Sequence, residues 1–283
     1  QMHLLAQKPL ASFSAVWHFL PQHLVEIAAT KPSAAALDGM VRIPATQYEF
    51  RVSGIEIEGG NDVGVDVQMP WENSPRRDHL ALVPIKALYM DRYPVTNSQF
   101  KEFLDATHYH PKDDHNFLKD WQHSMFPAGW DNKPVTWVSL EDARAYAVWA
   151  GKRLPHEWEW QYAAQGNDNR LYPWGEQWDP GRVPVPDTGR VLGPPADVDT
   201  HPNGGSPFGV MDMVGNIWQW TDEFQDEHTR TAIVRGGSHY QPAGSRWYFP
   251  QALRLDQHGK YLLMAPSIDR SATIGFRCVV DAE

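Results

Sequence analysis

The sequence predicts an α+β domain dominated by loops. Three observations carry that expectation. The chain has 13 Trp together with 23 Pro and 21 Gly; three helices with clear start and stop chemistry cluster in its middle; and short strand-like alternations flank them. Proline and glycine are disfavoured inside regular helices and strands, so their number implies long irregular connections, with tryptophan rings filling the space between them. Folds of this kind present ligand sites on loops.

In chain order, Gln1 to Asp38 mixes one apolar stretch, Phe13 to Ile27, with Pro and Ala breaks. It is expected to be an arm or linker (1–38) from a domain upstream, followed by a globular domain over 39–283. Met40 to Pro44 and Tyr48 to Ile57 alternate like short strands, closed by Gly59 and Gly60. The first helix has Thr96 as N-cap and Gln99 three residues on, with Phe100, Phe103 and Leu104 on one stripe, and should end near Thr107. The second begins at Ser139 with Asp142 completing a capping box, aligns Ala143, Tyr146, Ala147 and Ala150, and stops at Gly151. The third starts at Pro155 and runs through Trp158, Tyr162 and Ala163 to Gly166. Beyond Gly166 only short apolar runs follow, such as Gly209 to Met213, Ile233 to Arg235 and Thr273 to Val280. That half is expected to rest on side-chain packing and loop hydrogen bonds more than on regular ladders.

With 42% hydrophobic and 21% charged residues over 283 positions, the chain can bury a full core. No stretch approaches 18 consecutive apolar residues, which predicts no membrane span, and the first twenty residues lack the basic-then-apolar order of a secretory signal. The balance of 25 Lys+Arg against 35 Asp+Glu, with no basic run, argues against nucleic acid as a partner. A single cysteine, Cys278, rules out an intrachain disulfide or a thiolate metal cluster, and its apolar neighbours predict a small buried hydrophobe.

Several blocks in fixed order resemble the formylglycine-generating-enzyme (sulfatase-modifying-factor) superfamily. They are Tyr89 to Asn97; Pro134 to Ser139 with Ala143 to Pro155; Glu157, Glu159, Trp160 and Tyr162 to Ala164; Tyr172 to Gly175; Asn203 Gly204; Phe208 Gly209; Met211 to Asn216 with Trp218; Arg235 to Ser238; and Gly275 to Arg277. The resemblance spans roughly residues 40 to 280. It implies an irregular, C-type-lectin-like α+β fold. It leaves function open, because the superfamily contains copper-dependent sulfatase-activating oxidases, iron-dependent sulfoxide synthases and binding modules.

The resemblance also implies where chemistry would sit. The sulfatase-activating members hold copper(I) on two cysteines soon after Arg-Gly-Gly-Ser. Here that stretch is His239 to Arg246, with Gln241 and Arg246 where the sulfurs would be, which argues against copper. The sulfoxide synthases draw iron ligands largely from a preceding helical domain, and the arm carries only His3, His18 and His23. A histidine-rich stretch, with His108, His110 and His115, could ligate iron or zinc or could be a surface loop, and in relatives the same place lids the cleft. Asn216 and Gln219 occupy a loop that binds calcium in the family, with Gln219 replacing the charged ligand; Asp197, Asp199 and Asp212 could supply oxygens.

The segment between Arg-Gly-Gly-Ser and Gly-Phe-Arg lines the cleft in the family. His239, Tyr240, Arg246, Trp247, Tyr248, Arg254, Asp269 and Arg270 are therefore the candidate ligand-binding residues, with 107–123 as the lid. Aromatic walls with a few placed polar groups suit a small-molecule or peptide ligand. The leading expectation is a ligand-recognition domain. The alternative is a non-heme iron oxidoreductase using cleft histidines, and calcium and iron stay open as cofactors.

Overall fold

The computed structural model describes residues 20–56, 66–244 and 249–283. Its strands are β1 (His23–Leu24), β2 (Met40–Ile43), β3 (Thr46–Glu56), β4 (Asp78–Ile85), β5 (Leu88–Asp91), β6 (Trp218–Gln225), β7 (Arg230–Arg235), β8 (Gln257–Leu263), β9 (Ile274–Gly275) and β10 (Val279–Asp281). The helices are α1 (Asn97–Thr107), α2 (Leu140–Trp149), α3 (Glu157–Gln165) and the single turn α4 (Pro266–Asp269). A seven-stranded sheet has the order β1-β6-β7-β8-β3-β4, with β9 joined to β6, and a three-stranded sheet has the order β10-β5-β2. This is the loop-rich α+β fold that the composition predicts.

Both predicted capping boxes form. Thr96 accepts from the backbone N–H of Gln99 while the Gln99 side chain accepts from that of Thr96, and Ser139 and Asp142 make the same reciprocal pair. Each satisfies N–H groups that the first helical turn would otherwise leave open. The third helix begins at Glu157 with His156 as its cap, two residues later than Pro155 suggests. Glu159 accepts from the His156 backbone N–H and fixes that start.

One expectation is corrected. The half after Gly166 contains regular ladders: β6, β7 and β8 are consecutive antiparallel neighbours. Their residues did not read as strands because all but the last residue of β6 is buried, so no polar face shows in the pattern. A register shift between Trp220 and Glu223 also breaks the alternation, sending Trp220 into one core and Phe224 into the other. The predicted run Thr273 to Val280 splits into β9 and β10, because Phe276 to Cys278 leaves the sheet to bond Asp91. The described part of the expected arm, 20–38, contacts the domain. β1 extends the large sheet at β6, and Thr30 bonds Asp281 through its N–H and hydroxyl.

The large sheet carries a core on each side. One gathers Tyr48, Phe50 and Val52 of β3, Trp160 and Tyr162 of α3, and Phe224 and Ile233. The other packs α1 and α2 against it through Phe100, Phe103, Tyr146 and Phe276. There Phe100 stacks on Tyr146 at 5.7 Å, and Phe276 meets both rings edge-on. Such ring pairs add about 0.5–1.5 kcal/mol each beyond their burial. Among the described residues, no helix is long and apolar enough to cross a membrane.

Candidate functional site

The segment leaving β7 is positioned by close backbone contact. Gly236 has φ +93°, and a Cβ there would collide with the carbonyl oxygen of Met213, so only glycine lets the chain pass. Beyond it, His239 is pinned. Its Nδ1 faces the carbonyl of Asn216 at 2.9 Å and its Nε2 that of Gly193 at 3.1 Å. With both ring nitrogens directed at carbonyl oxygens, neither is free to ligate a metal.

Gln251 then staples the two arms of the loop, its Oε1 accepting from the Ser238 N–H at 2.7 Å and its Nε2 donating to the Tyr240 carbonyl at 2.9 Å. Tyr240 and Phe249 meet edge-to-face at 5.0 Å. Beside them lies a cavity of about 310 Å³ lined by Gln241, Pro242, Phe249, Pro250 and Gln251. Arg246, Trp247 and Tyr248 lie outside the described residues.

The remaining predicted cleft residues sit elsewhere. Arg254 is exposed and forks onto Asp256 two residues away. The Asp269 carboxylate accepts the Met264 N–H, and burial raises its pKa. Arg270 is buried: its Nε and Nη2 hold Asp142 at 2.8 and 3.2 Å, and its Nη1 donates to the carbonyls of Asp113 and His115. Asp142 also takes the Tyr109 hydroxyl, and together with burial it raises the Tyr109 pKa. Arg270 is thus an internal tie that holds the 107–123 loop against α2. No hydrogen bond, ion pair or ring contact among the described residues joins Asp269 or Arg270 to His239 or Tyr240.

The three histidines of that loop are exposed. His108 and His110 border a cavity of about 280 Å³ together with Asp105, and His115 does not. Among the described residues, no group of three or more His, Cys, Asp or Glu side chains is placed to hold a metal ion. The expected set His108, His110 and His115 therefore does not converge, because the helix end at His108 and the turns after Pro111 splay the chain.

Asn216 and Gln219 are also committed. Asn216 exchanges two hydrogen bonds with the backbone of Ala196. Gln219 Oε1 accepts from Trp160 Nε1 at 2.9 Å and Arg277 Nε at 2.7 Å, while its Nε2 donates to the carbonyl of Asp212. The cation here is the Arg277 guanidinium, which also donates to the carbonyls of Asp91, Arg92, Met211 and Asp212. The oxygens expected to face calcium already accept N–H groups, so Asn216 and Gln219 do not fit that ion. Beside them, Asp212 has a buried carboxylate oxygen without a partner, and burial pushes its pKa up to about 7. Copper(I) fits no better: Cys278 is fully buried, with its thiol pKa pushed well up by that burial.

One cluster escapes sequence reasoning. A cavity of about 740 Å³ lies between β3, β4 and the 71–78 turn, with Glu72 and His79 in its wall. His79 Nδ1 bonds Glu72, and the His79 ring lies 5.5 Å from that of His258, whose Nδ1 is 2.6 Å from Glu157. The signal was present in the alternation of β4, where His79 falls on the inward face with Ala81, Val83 and Ile85.

Residues 26–282 match the Sulfatase-modifying factor enzyme 1-like domain. The formylglycine-generating enzyme of Mycobacterium tuberculosis is 31% identical, over 73% of this chain and 92% of its own length. The inactive C-alpha-formylglycine-generating enzyme 2 of Bos taurus is 30% identical, over 66% of this chain and 76% of its own. In fold, the chain is similar to PvdO from Pseudomonas aeruginosa, with a TM-score of 0.55 and 21% identity over 89% of this chain and all of that one. With the ordered motifs from Tyr89 to Arg277 and a loop-rich α+β architecture around them, the chain belongs to the sulfatase-modifying-factor (formylglycine-generating-enzyme) family.

Proposed function

We propose that this domain uses the family scaffold to recognise a small-molecule or peptide ligand beside the Tyr240–Gln251 loop, and does not carry out copper-dependent oxidation of a substrate cysteine. The observation that carries the reading is the fate of sulfur in this chain. Its one cysteine is buried in a core with Trp218 and Phe276, far from thiolate character, and the position expected for a copper thiolate is Gln241 at the rim of a cavity. A soft monovalent ion is held by thiolates, and a neutral amide does not replace one.

What the loop offers instead suits binding. Phe249 is 42% exposed and braced by Tyr240, which gives an apolar contact face that needs no rearrangement. Gln241 and Gln251 supply amide donors and acceptors beside it. The Gln251 side chain ties its own segment to Ser238 and Tyr240, which lowers the ordering cost of binding at those residues. A relative whose name marks it as inactive is consistent with the scaffold serving without oxidase chemistry.

The test is a ligand-observed NMR screen of small polar molecules and short peptides against the full chain. Binders are expected that lose their signal with Phe249→Ala. If every hit binds Phe249→Ala as well as wild type, recognition lies elsewhere.

A further inference from the structure

Eight buried side-chain polar atoms among the described residues have no hydrogen-bond partner, and five of them belong to His79, Glu157, Gln161, Arg235 and His258. These five residues are neighbours. His258 Nδ1 is 2.6 Å from Glu157, Arg235 Nη1 is 3.5 Å from the same carboxylate oxygen, and Gln161 and Arg235 both donate to the Leu255 carbonyl. Native proteins leave few buried polar groups open, so a concentration of them points to a water or ion that completes the site.

Sequence and topology explain how the two imidazoles meet. β3 lies between β8 and β4, with Gly54 opposite His258 on one side and Val52 opposite His79 on the other. Both histidines point inward, and Gly54 leaves the space they share; a Cβ there would stand 2.9 Å from His258 Nε2. Behind each ring a glutamate holds Nδ1. Glu72 lies at 2.9 and 3.1 Å from His79, and Glu157 at 2.6 Å from His258. Each Nε2 is buried and unpartnered.

We propose that His79 Nε2 and His258 Nε2 form a binding site for a divalent transition-metal ion of the zinc or cobalt class, beside the cavity walled by Glu72 and His79. Metal-ligating imidazoles characteristically donate their second N–H to a carboxylate, which fixes ring orientation and raises basicity. Both rings here have that backing. Glu72 gives the His79 side of the site an acidic neighbour, and Lys260 is paired with Asp66 at 3.1 Å. The protein supplies two ligands, and water fills the other positions. When Nε2 of His258 ligates, the proton it shares with Glu157 sits on Nδ1. The site is independent of the Tyr240–Gln251 loop.

The experiment strips the full chain with a chelator, titrates it with Co²⁺ followed by visible absorption, and then measures Zn²⁺ by competition with a chromophoric chelator. One saturable ion per chain is expected in wild type and in a triple variant His108→Ala/His110→Ala/His115→Ala. His79→Ala is expected to abolish binding, and Glu72→Gln to weaken it roughly 10–100-fold. Gly54→Ala, which keeps both ligands but fills the shared space, is also expected to lose it. Should a substitution impair folding, imidazole nitrogen NMR of wild type reads the same point, with Zn²⁺ shifting the Nε2 resonances of two buried histidines. Absence of saturable binding, or binding that survives His79→Ala, overturns the proposal.

Discussion

Two buried arginines near Trp160, one over its ring and one sharing the Gln219 acceptor with its Nε1, differ in how completely they are met. Arg277 directs all three guanidinium nitrogens at acceptors: Gln219 Oε1 and four backbone carbonyls from the 91–92 and 211–212 turns. Arg235, stacked over the Trp160 ring at 5.0 Å, reaches Leu255 and, at 3.5 Å, Glu157, and its Nε has no partner. Both side chains are fully buried, so burial alone does not distinguish them. A saturated cluster fixes loops that have no ladder of their own. An unsaturated one, placed where Gly54 leaves space, is where solvent or an ion completes the structure.

That contrast can be broken by substitution, and the largest effect is expected at Arg277. Arg277→Met strands several buried carbonyl oxygens and Gln219. At about 1–3 kcal/mol for each unmet group, with partial relief by water, the loss should be roughly 3–5 kcal/mol in urea unfolding. A loss under about 1 kcal/mol would mean that the turns are held by packing instead.

Glu157 should behave in the opposite way. Burial pushes its pKa from 4.5 up to about 8. The folded state therefore keeps a proton that the unfolded chain has already released. This group's contribution to stability is complete below pH 4.5 and is lost as pH rises toward about 8. Glu157→Gln removes the titration, so its stability relative to wild type should increase steadily across that window and level off above it. A flat difference from pH 5 to pH 8 would show that the carboxyl is already ionised in the folded protein.

The smallest effect concerns a saturated site with many redundant bonds. Asp142 accepts from Ser139, Tyr109 and Arg270, so Ser139→Ala should cost only about 1 kcal/mol, the usual value of a helix N-cap. Thermal unfolding at fixed pH measures it.

What the sequence revealed follows the same division. The boxes at Thr96–Gln99 and Ser139–Asp142 are local chemistry, and their helices formed as the residues indicate. The family motifs placed the fold, and the lone cysteine, read as a buried hydrophobe, is buried. The strands β6 and β7 were hidden because burial on both faces erases alternation. Arg270 read as a cleft group because an arginine among aromatics suits either a ligand or a carboxylate, and only the fold brings it to Asp142. Likewise, Gln219 declared that a charged ligand was missing without revealing that Arg277 supplies the positive charge there. His79 and His258 come from distant strands, and one histidine on an inward face gives no hint of its partner.

The central claim, that this family member works without thiolate-bound copper, is tested most directly by adding copper(I) to the reduced, purified chain with oxygen and a sulfatase-type cysteine peptide. Metal analysis and peptide mass spectrometry are the readouts. The expected result is no retained copper and an unchanged cysteine. Stoichiometric copper together with conversion of that cysteine to an aldehyde would contradict it.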